Sequence, residues 1–216
     1  KSAQSPLVPF TFERRDPRED DVVIQIEYSG VCHSDLHQAR NDWGFSTYPI
    51  VPGHEIVGRV TAIGSKVKKY NIGDLVGIGC MVDSCRTCSA CHAGLEQYCE
   101  EGMVGTYNGR ERVTNAPTYG GYSTQIVVDE QYTLHISDKL PLAGVAPLLC
   151  AGITTYSPLR HWKVGKGHKL AVLGLGGLGH MAVKFGVAFG AEVTVLSTSP
   201  NKEEAAKALG AHHFVV

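Results

Sequence analysis

Along most of the first 150 positions, apolar and polar residues are mixed, and many of them are β-branched. This pattern predicts strands at residues 22–28, 55–64, 120–128 and 132–136, while residues 73–79 follow a turn and lead into the cysteine-rich segment. Residues 34–41 are predicted to form a short helix. Residues 101–119 are polar and contain turn signals such as Asn108-Gly109, so they are predicted to be irregular. This part of the chain therefore reads mainly as β structure.

The pattern changes after position 150. Residues 169–173 form a continuous apolar run, which is typical of a strand buried in a parallel sheet. Helical spacing follows at 180–190, a strand at 192–196, a second helix at 201–209 and a third strand from 213. We therefore predict an α/β plus β fold class. A β-rich domain spans residues 1–150, and the first half of a doubly wound parallel sheet with its helices spans 151–216.

A glycine motif lies at the first strand-to-helix turn of this second region. Its sequence is Gly174-Leu175-Gly176-Gly177-Leu178-Gly179. In the order strand, Gly-x-Gly-x-x-Gly and helix, such glycines let the backbone approach a pyrophosphate at the positive end of the helix. A glycine-rich turn without a ligand is the alternative, but the flanking strands and helix favour a dinucleotide site.

The end of the second strand of this region bears on the choice of dinucleotide. An NAD enzyme normally carries an acidic residue about 20 positions after the fingerprint, where it binds the ribose hydroxyls. This chain has Ser197, Thr198 and Ser199 there, followed by Lys202. Hydroxyls and a lysine suit the 2′-phosphate, so NADP is predicted over NAD. The alternative for Lys202 is a solvent-facing helix residue.

Four of the seven cysteines lie within fifteen residues, at Cys85, Cys88, Cys91 and Cys99. This spacing predicts a closed structural zinc site in a lobe over about residues 80–100. An iron–sulfur cluster is the first alternative, although its fourth cysteine usually follows sooner and precedes a proline. Disulfides are the second alternative. Cys80 is left without a role and is predicted to be a small buried hydrophobic residue.

A second set of metal ligands is predicted around residues 30–55. Cys32 and His54 offer a thiolate and an imidazole, and a nearby carboxylate could fix the tautomer of the imidazole. Cys150 is the best candidate for the third donor. Three protein ligands leave one zinc position open, which is typical of a catalytic site, so two zinc ions per chain are expected.

Composition excludes some partner classes. The 216 residues are 43% hydrophobic and 19% charged, with a formal net charge of −1. This charge gives no long-range attraction for nucleic acid or an anionic membrane, and no apolar run approaches the ~20 residues of a membrane span. The N-terminal sequence lacks the apolar core of a signal peptide, so a cytoplasmic location is predicted.

Together these motifs resemble the zinc-dependent medium-chain alcohol dehydrogenases, most closely their cinnamyl-alcohol-dehydrogenase-like branch of NADPH-dependent aldehyde reductases. Three regions carry the resemblance: Gly53-His54-Glu55 with its following glycines, the four-cysteine lobe, and residues 150–154. The resemblance implies a GroES-like catalytic domain up to about Cys150, followed by a Rossmann domain.

The resemblance also implies roles for individual residues. Cys32, His54 and Cys150 would bind the catalytic zinc, with Asp35 supporting His54 and Glu55 acting as an alternate ligand or gate.

Ser34 and His37 would relay a proton between the closed site and water, and Thr154 would face the nicotinamide. A helix cap is the alternative for Ser34, and a surface histidine is the alternative for His37. Trp43 and Tyr48 are predicted either to line a substrate pocket or to pack in the core.

The predicted function is the interconversion of aldehydes and primary alcohols with NADP(H). A polyol or sugar dehydrogenase is one alternative, but that branch tends to replace the third cysteine with a carboxylate, and Cys150 argues against it. A non-catalytic zinc-binding module is the other alternative. The family continues beyond the third nucleotide strand, so we expect a longer polypeptide that forms a homodimer, with the strand at 169–173 at the edge of its partial sheet.

Overall fold

The structure, a computed structural model, describes residues 2–216 and divides into two compact units. The first unit ends at Leu149 and the second is Cys150–Val216. Within residues 2–216, no single helix has the length and apolar composition needed to cross a membrane. One bent pair, Leu142–Leu149 followed by Ala151–His161, meets that test only when its two members are combined.

The first unit is rich in strands. They are β1 (Asp21–Ser29), β2 (Ile56–Ile63), β3 (Leu75–Ile78), β4 (Met81–Asp83), β5 (Val104–Gly105), β6 (Gln125–Asp129) and β7 (Leu134–His135). The α-helices are α1 (His33–Arg40), α2 (Ser89–His92) and α3 (Leu142–Val145), with 3₁₀ turns at Glu96–Tyr98, Glu130–Tyr132 and Ala146–Leu149. Most predicted strands are present, but β6 begins five residues later than the predicted start at 120.

Five of these strands form an antiparallel sheet in the order β6-β1-β2-β3-β7. Val22 and Ile24 of β1 are fully buried and pack with apolar residues of the neighbouring strands. Gly58 in β2 faces β1 so closely that an added Cβ would lie 2.1 Å from the carbonyl oxygen of Gln25. The sheet therefore requires glycine at this position.

The cysteine lobe connects β4 to β5, which pair in a separate two-stranded sheet. Arg86 inside the lobe has a positive φ of 65°. Its guanidinium forms ion pairs with Asp83 at 2.8 Å and with Asp129 of β6 at 2.7 Å. These contacts attach the lobe to the main sheet.

The second unit contains α4 (Ala151–His161), β8 (Lys169–Leu173), α5 (Gly177–Ala188), β9 (Glu192–Leu196), α6 (Glu203–Ala208) and β10 (His213–Val215). Its strands form a parallel sheet in the order β10-β9-β8, as the sequence predicts, with β8 at an edge. Gly186 allows α5 to pack tightly, since an added Cβ would lie 2.5 Å from Leu170 Cδ2 of β8.

Helices α3 and α4 have no counterpart in the sequence prediction. Pro158 lies inside α4, and β-branched residues occupy its first half, so helix propensity gives little indication of it. Cys80 is also a correction, because its side chain is exposed rather than buried. Its position at the end of β3, before the chain enters β4, leaves it outside the core.

Candidate metal centres and nucleotide site

The first candidate centre is built around the buried carboxylate of Asp35. Helix α1 begins directly after Cys32, whose backbone N–H donates to Asp35 Oδ2 at 3.0 Å. Asp35 Oδ1 accepts from the backbone N–H of Gly53 and from the ring of His54, both at 3.0 Å. One side chain therefore connects the start of α1 to the segment that precedes β2.

The ionisation of Asp35 decides which ring nitrogen of His54 carries the proton. Burial alone would raise the pKa of Asp35, but hydrogen bonds from His54 and from the backbone of Cys32 outweigh it, and the pKa is lowered. An ionised carboxylate only accepts hydrogen bonds, so Nδ1 of His54 carries the proton. The lone pair of Nε2 is then the one that suits a metal.

Glu55 is a second buried carboxyl group, with 3% of its surface exposed. Burial raises its pKa, the charge of Asp35 adds to this effect and His54 opposes it. A Cβ on Gly30 would lie 1.9 Å from Glu55 Oε2, so the absence of a side chain at position 30 makes room for this carboxyl group.

The predicted residues of this centre that belong to the first unit are brought together. Candidate ligand atoms of Cys32, His54 and Glu55 lie within 4.8 Å of one another. Cys150, the remaining predicted ligand, is the first residue of the second unit. The thiol of Cys32 and the imidazole of His54 are donors that zinc prefers, so these residues fit such an ion.

The predicted relay residues lie on α1. Ser34 is half-buried in the first turn. His37 is half-exposed, its Nδ1 lies 2.9 Å from Asp42 Oδ2, and its ring is 5.5 Å from that of Trp43. Trp43 is 47% exposed, which excludes core packing for it. The hydroxyl of Tyr48 donates to the carbonyl of Ala39 at 2.7 Å.

The four cysteines of the lobe form the second candidate centre. All four Sγ atoms lie within 4.8 Å of one another. The Sγ atoms of Cys85 and Cys91 are 3.8 Å apart, which matches the ~3.8 Å expected when tetrahedral Zn–S bonds of about 2.3 Å share one ion. The cysteines are thiols rather than disulfides. This donor set therefore fits a single zinc ion.

Backbone amides donate to the sulfur atoms of two cysteines in this lobe, whereas the pKa of Cys91 is raised to about 11. The amide of Cys85 donates to Cys99 Sγ, and the amide of Cys88 donates to Cys85 Sγ, both at 3.3 Å. The pKa of Cys85 is lowered to about 6, chiefly by the backbone amide of Thr87 and also by that of Cys88. Such a thiol is readily deprotonated for metal binding.

The glycine motif forms an open turn at the start of α5. Gly174 has a positive φ of 84°, and an added Cβ at Gly179 would lie 2.1 Å from the carbonyl oxygen of Gly174. In the described chain, no atom lies within 4 Å of a Cβ added at Gly176 or Gly177. Helix α5 begins at Gly177 without a side-chain cap from any described residue. Its first amides are therefore suited to an anion.

The residues predicted to select NADP lie beside this turn. Lys202 Nζ donates to the carbonyl of Leu175, inside the glycine motif, at 3.2 Å. Ser197 Oγ accepts from the amide of Ser199 at 3.2 Å, and Thr198 is exposed. Within the second unit, Thr154 is exposed in the first turn of α4, and its amide donates to the carbonyl of Cys150.

Sequence reasoning missed two tyrosines of the first centre. The hydroxyl of Tyr122 donates to Asp35 Oδ2 at 2.8 Å. The ring of Tyr107 lies 5.8 Å from that of His54. Burial raises the pKa of both phenols, and the charge of Asp35 adds to it. A lone tyrosine carries no spacing pattern, so only the fold identifies these residues.

The sequence profile of the alcohol dehydrogenase GroES-like domain matches residues 18–138, more than half of the chain. The chain belongs to the alcohol dehydrogenase family. It is 60% identical over 214 residues to NADP-dependent alcohol dehydrogenase C 1 of Mycolicibacterium smegmatis, covering 99% of this chain and 61% of that protein. It is 58% identical over 215 residues to aldehyde reductase YahK of Escherichia coli, with coverages of 99% and 61%.

A solved structure supports the same membership in the alcohol dehydrogenase family. Cinnamyl alcohol dehydrogenase from Sorghum bicolor superposes with a TM-score of 0.97 at 48% identity, covering 100% of this chain and 62% of that chain. The resemblance to the cinnamyl-alcohol-dehydrogenase-like branch of the zinc family is thereby confirmed, as is the fold class. The chain spans about 61% of the length of the curated relatives described above.

Proposed function

We propose that this chain is the catalytic and first nucleotide-binding part of an oxidoreductase that interconverts aldehydes and primary alcohols with NADP(H). The observation that carries the proposal is the grouping of Cys32, His54 and Glu55, with the buried carboxylate of Asp35 behind the histidine. Two relatives support the reaction class, since their names describe an NADP-dependent alcohol dehydrogenase and an aldehyde reductase.

Cys32, His54 and Cys150 would hold a catalytic zinc, with Glu55 as an alternate ligand or gate. Zinc, when bound there, supplies a Lewis acid that polarises an aldehyde oxygen or lowers the pKa of an alcohol. The role of Asp35 is to keep the proton of His54 on Nδ1. Cys85, Cys88, Cys91 and Cys99 would hold a second, structural zinc.

Proton movement is assigned to α1. Ser34 lies two residues after Cys32, and its hydroxyl can both accept and donate a proton. His37 is half-exposed and can exchange protons with water. Asp42 accepts from Nδ1 of His37 and so directs Nε2 away from itself. We assign the relay to Ser34 and His37 in that order.

The glycine turn would bind the pyrophosphate of the cofactor, which supplies or accepts the hydride. Lys202 beside that turn, with the hydroxyls of Ser197, Thr198 and Ser199, favours the 2′-phosphate of NADP over NAD. Thr154 would face the nicotinamide. A homodimer in the cytoplasm, without nucleic acid or membrane partners, remains a prediction from the sequence.

The polyol or sugar dehydrogenase alternative is disfavoured by Cys150, where that branch tends to place a carboxylate. The non-catalytic alternative is disfavoured by the joint presence of the ligand group and the relay residues.

Metal analysis combined with NADPH oxidation against a panel of aldehydes tests the proposal. We expect two zinc ions per full-length chain and NADPH-dependent reduction. Cys32→Ala should lose the activity and one zinc while keeping the fold. Val31→Ala, at a neighbouring position that is 75% exposed, serves as the matched control and should keep both zinc ions and the activity. Full activity in Cys32→Ala would rule out the mechanism.

A further inference from the structure

Among the described residues, four hydrogen bonds of 3.0 Å or less reach the carboxylate of Asp35, and one of them has no role in the function proposed above. Three come from candidate ligands or from the residue beside one: the backbone amide of Cys32, the backbone amide of Gly53 and the ring of His54. The fourth comes from the hydroxyl of Tyr122, 87 residues away in sequence, at 2.8 Å. Each carboxylate oxygen thus accepts two bonds.

We propose that Tyr122 is a positioning residue of the catalytic metal centre, acting through Asp35 on the orientation of His54. The inference rests on the proposed function, because it assumes that Cys32 and His54 bind the metal. The hydroxyl of Tyr122 lies 2.8 Å from Asp35 Oδ2 and 3.4 Å from the carbonyl oxygen of Gly30. Its phenol holds Asp35 Oδ2, which leaves Oδ1 turned toward Nδ1 of His54.

The direction of the Tyr122 bond follows from its chemistry. The carboxylate has no proton to give, so the phenol donates. Burial raises the pKa of Tyr122, and the hydrogen bond to Asp35 and its charge raise it further, so the phenol keeps its proton at neutral pH. This bond is charge-assisted and therefore stronger than one between neutral groups.

The backbone of Tyr122 is fixed to the segment that leads to His54. Its amide donates to the carbonyl of Pro52 at 3.0 Å, and the amide of Gly121 donates to the carbonyl of Gly53 at 2.8 Å. A Cβ on Gly120 would lie 2.3 Å from the carbonyl oxygen of Gly53. The two backbone segments are therefore in direct contact, and this contact fixes the backbone position from which the phenol of Tyr122 extends.

Arg14 fixes the other side of the Tyr122 loop. Its guanidinium donates to the carbonyls of Tyr119 at 2.7 Å and Gly120 at 3.2 Å. It also donates to Ser123 Oγ at 2.9 Å and to the carbonyl of Gln125 at 3.0 Å. Arg14 thus spans the loop from before Tyr122 to the start of β6.

The substitution Tyr122→Phe keeps the ring and removes this one donor. Asp35 then retains three donors, and the orientation of its Oδ2 is less restricted. Partners behind a metal ligand typically change metal affinity or activity by 10- to 100-fold. Because Tyr122 acts on His54 through Asp35, we expect an effect at the lower end of this range, with metal release from this centre accelerated about tenfold.

The experiment uses zinc-loaded full-length protein and a chromogenic chelator that reports released zinc. The release phase that disappears in Cys32→Ala belongs to this centre. Tyr122→Phe should accelerate that phase and leave the phase of the four-cysteine lobe unchanged. Tyr28→Phe, at a position in β1 that is 45% exposed, is the matched control and should leave both phases unchanged.

Two further measurements distinguish a positioning role of Tyr122 from a general loss of stability. In histidine-labelled protein, the Nδ1 proton of His54 should exchange with water faster in Tyr122→Phe. In an Asp35→Asn background, Tyr122→Phe should add no further acceleration, because both changes act through the same carboxylate. The melting temperature of each variant reports whether the fold is intact.

An unchanged release rate in Tyr122→Phe overturns the inference, as does an equal acceleration in the Asp35→Asn background. A wild-type protein without a Cys32-dependent phase also overturns it. The zinc assay needs no substrate turnover. A protein that holds zinc at this centre but reduces no aldehyde would therefore refute the proposed reaction. The zinc-release assay would still test the positioning role of Tyr122.

Discussion

Asp35 and His54 are 19 residues apart in sequence, yet Oδ1 of one lies 3.0 Å from Nδ1 of the other. Both side chains are buried, at 2% and 6% exposure. The same carboxylate receives the backbone amide of Cys32, so two candidate metal ligands depend on one acceptor. We therefore expect the candidate metal centre to be sensitive to any change in the hydrogen-bonding capacity of Asp35.

Asp35→Asn should reduce aldehyde reduction by about 10- to 100-fold and weaken zinc binding at this centre. The reason is that an amide brings its own N–H donors to a site where four donors already converge. Steady-state kinetics and zinc content check this, with Asp20→Asn at an exposed position as the control. Unchanged kinetics and zinc content would contradict the role of Asp35.

Two glycines of the nucleotide turn should respond differently to alanine. Gly177→Ala meets open space and should keep the melting temperature while weakening NADPH binding, because a methyl group occupies the approach of the pyrophosphate. Gly179→Ala places a methyl group 2.1 Å from the carbonyl oxygen of Gly174, so it should destabilise the fold by about 2 kcal/mol.

Thermal unfolding and NADPH titration of the two glycine variants distinguish these effects. Equal losses of stability in both would contradict the assignment of Gly177 to the ligand side of the turn.

Lys202→Ala should raise the KM for NADPH by about tenfold or more, which corresponds to the loss of a charged hydrogen bond of about 1.5–3 kcal/mol. The KM for NADH should stay unchanged, because NADH lacks the 2′-phosphate. Lys207→Ala is the control, since this lysine is 62% exposed and paired with Glu203. A parallel rise for both cofactors would point to a structural role for Lys202.

Asp21 should contribute to stability in a pH-dependent way. Burial alone would raise the pKa of Asp21, but hydrogen bonds from the Arg15 side chain and the Arg18 backbone outweigh this, and the pKa is lowered. A lowered pKa means that the contribution is present above the unfolded pKa near 3.8 and is lost as pH falls through the folded value.

Urea unfolding at neutral pH and in steps below pH 4 checks the prediction for Asp21. Asp21→Asn should lose about 2 kcal/mol at neutral pH and show a smaller loss on acidification than the wild type. Asp138→Asn, at an exposed position, should match the wild type. A variant with the same acid dependence as the wild type would show that other groups cause it.

Much of the fold was predictable because local patterns repeat the periodicity of the elements. The strand at 192–196 coincides with β9, and the apolar run at 169–173 coincides with β8. Helices α3 and α4 were not predicted. Pro158 weakens the helical pattern of α4, and packing within the second unit, such as that of Tyr156 on Phe185 of α5, overrides it. The exposure of Cys80 likewise depends on where the chain leaves β3.

The sequence by itself determined the family and predicted the candidate metal ligands and the glycine turn, because these depend on residue type and short spacing. Only the tertiary structure decided that Tyr122 reaches Asp35, that Arg14 spans the Tyr122 loop and that Gly30 makes room for Glu55. Each of these contacts joins residues far apart in the chain. Hydrogen bonds and close packing act over a few ångströms, so they form only where the folded backbone brings distant segments together.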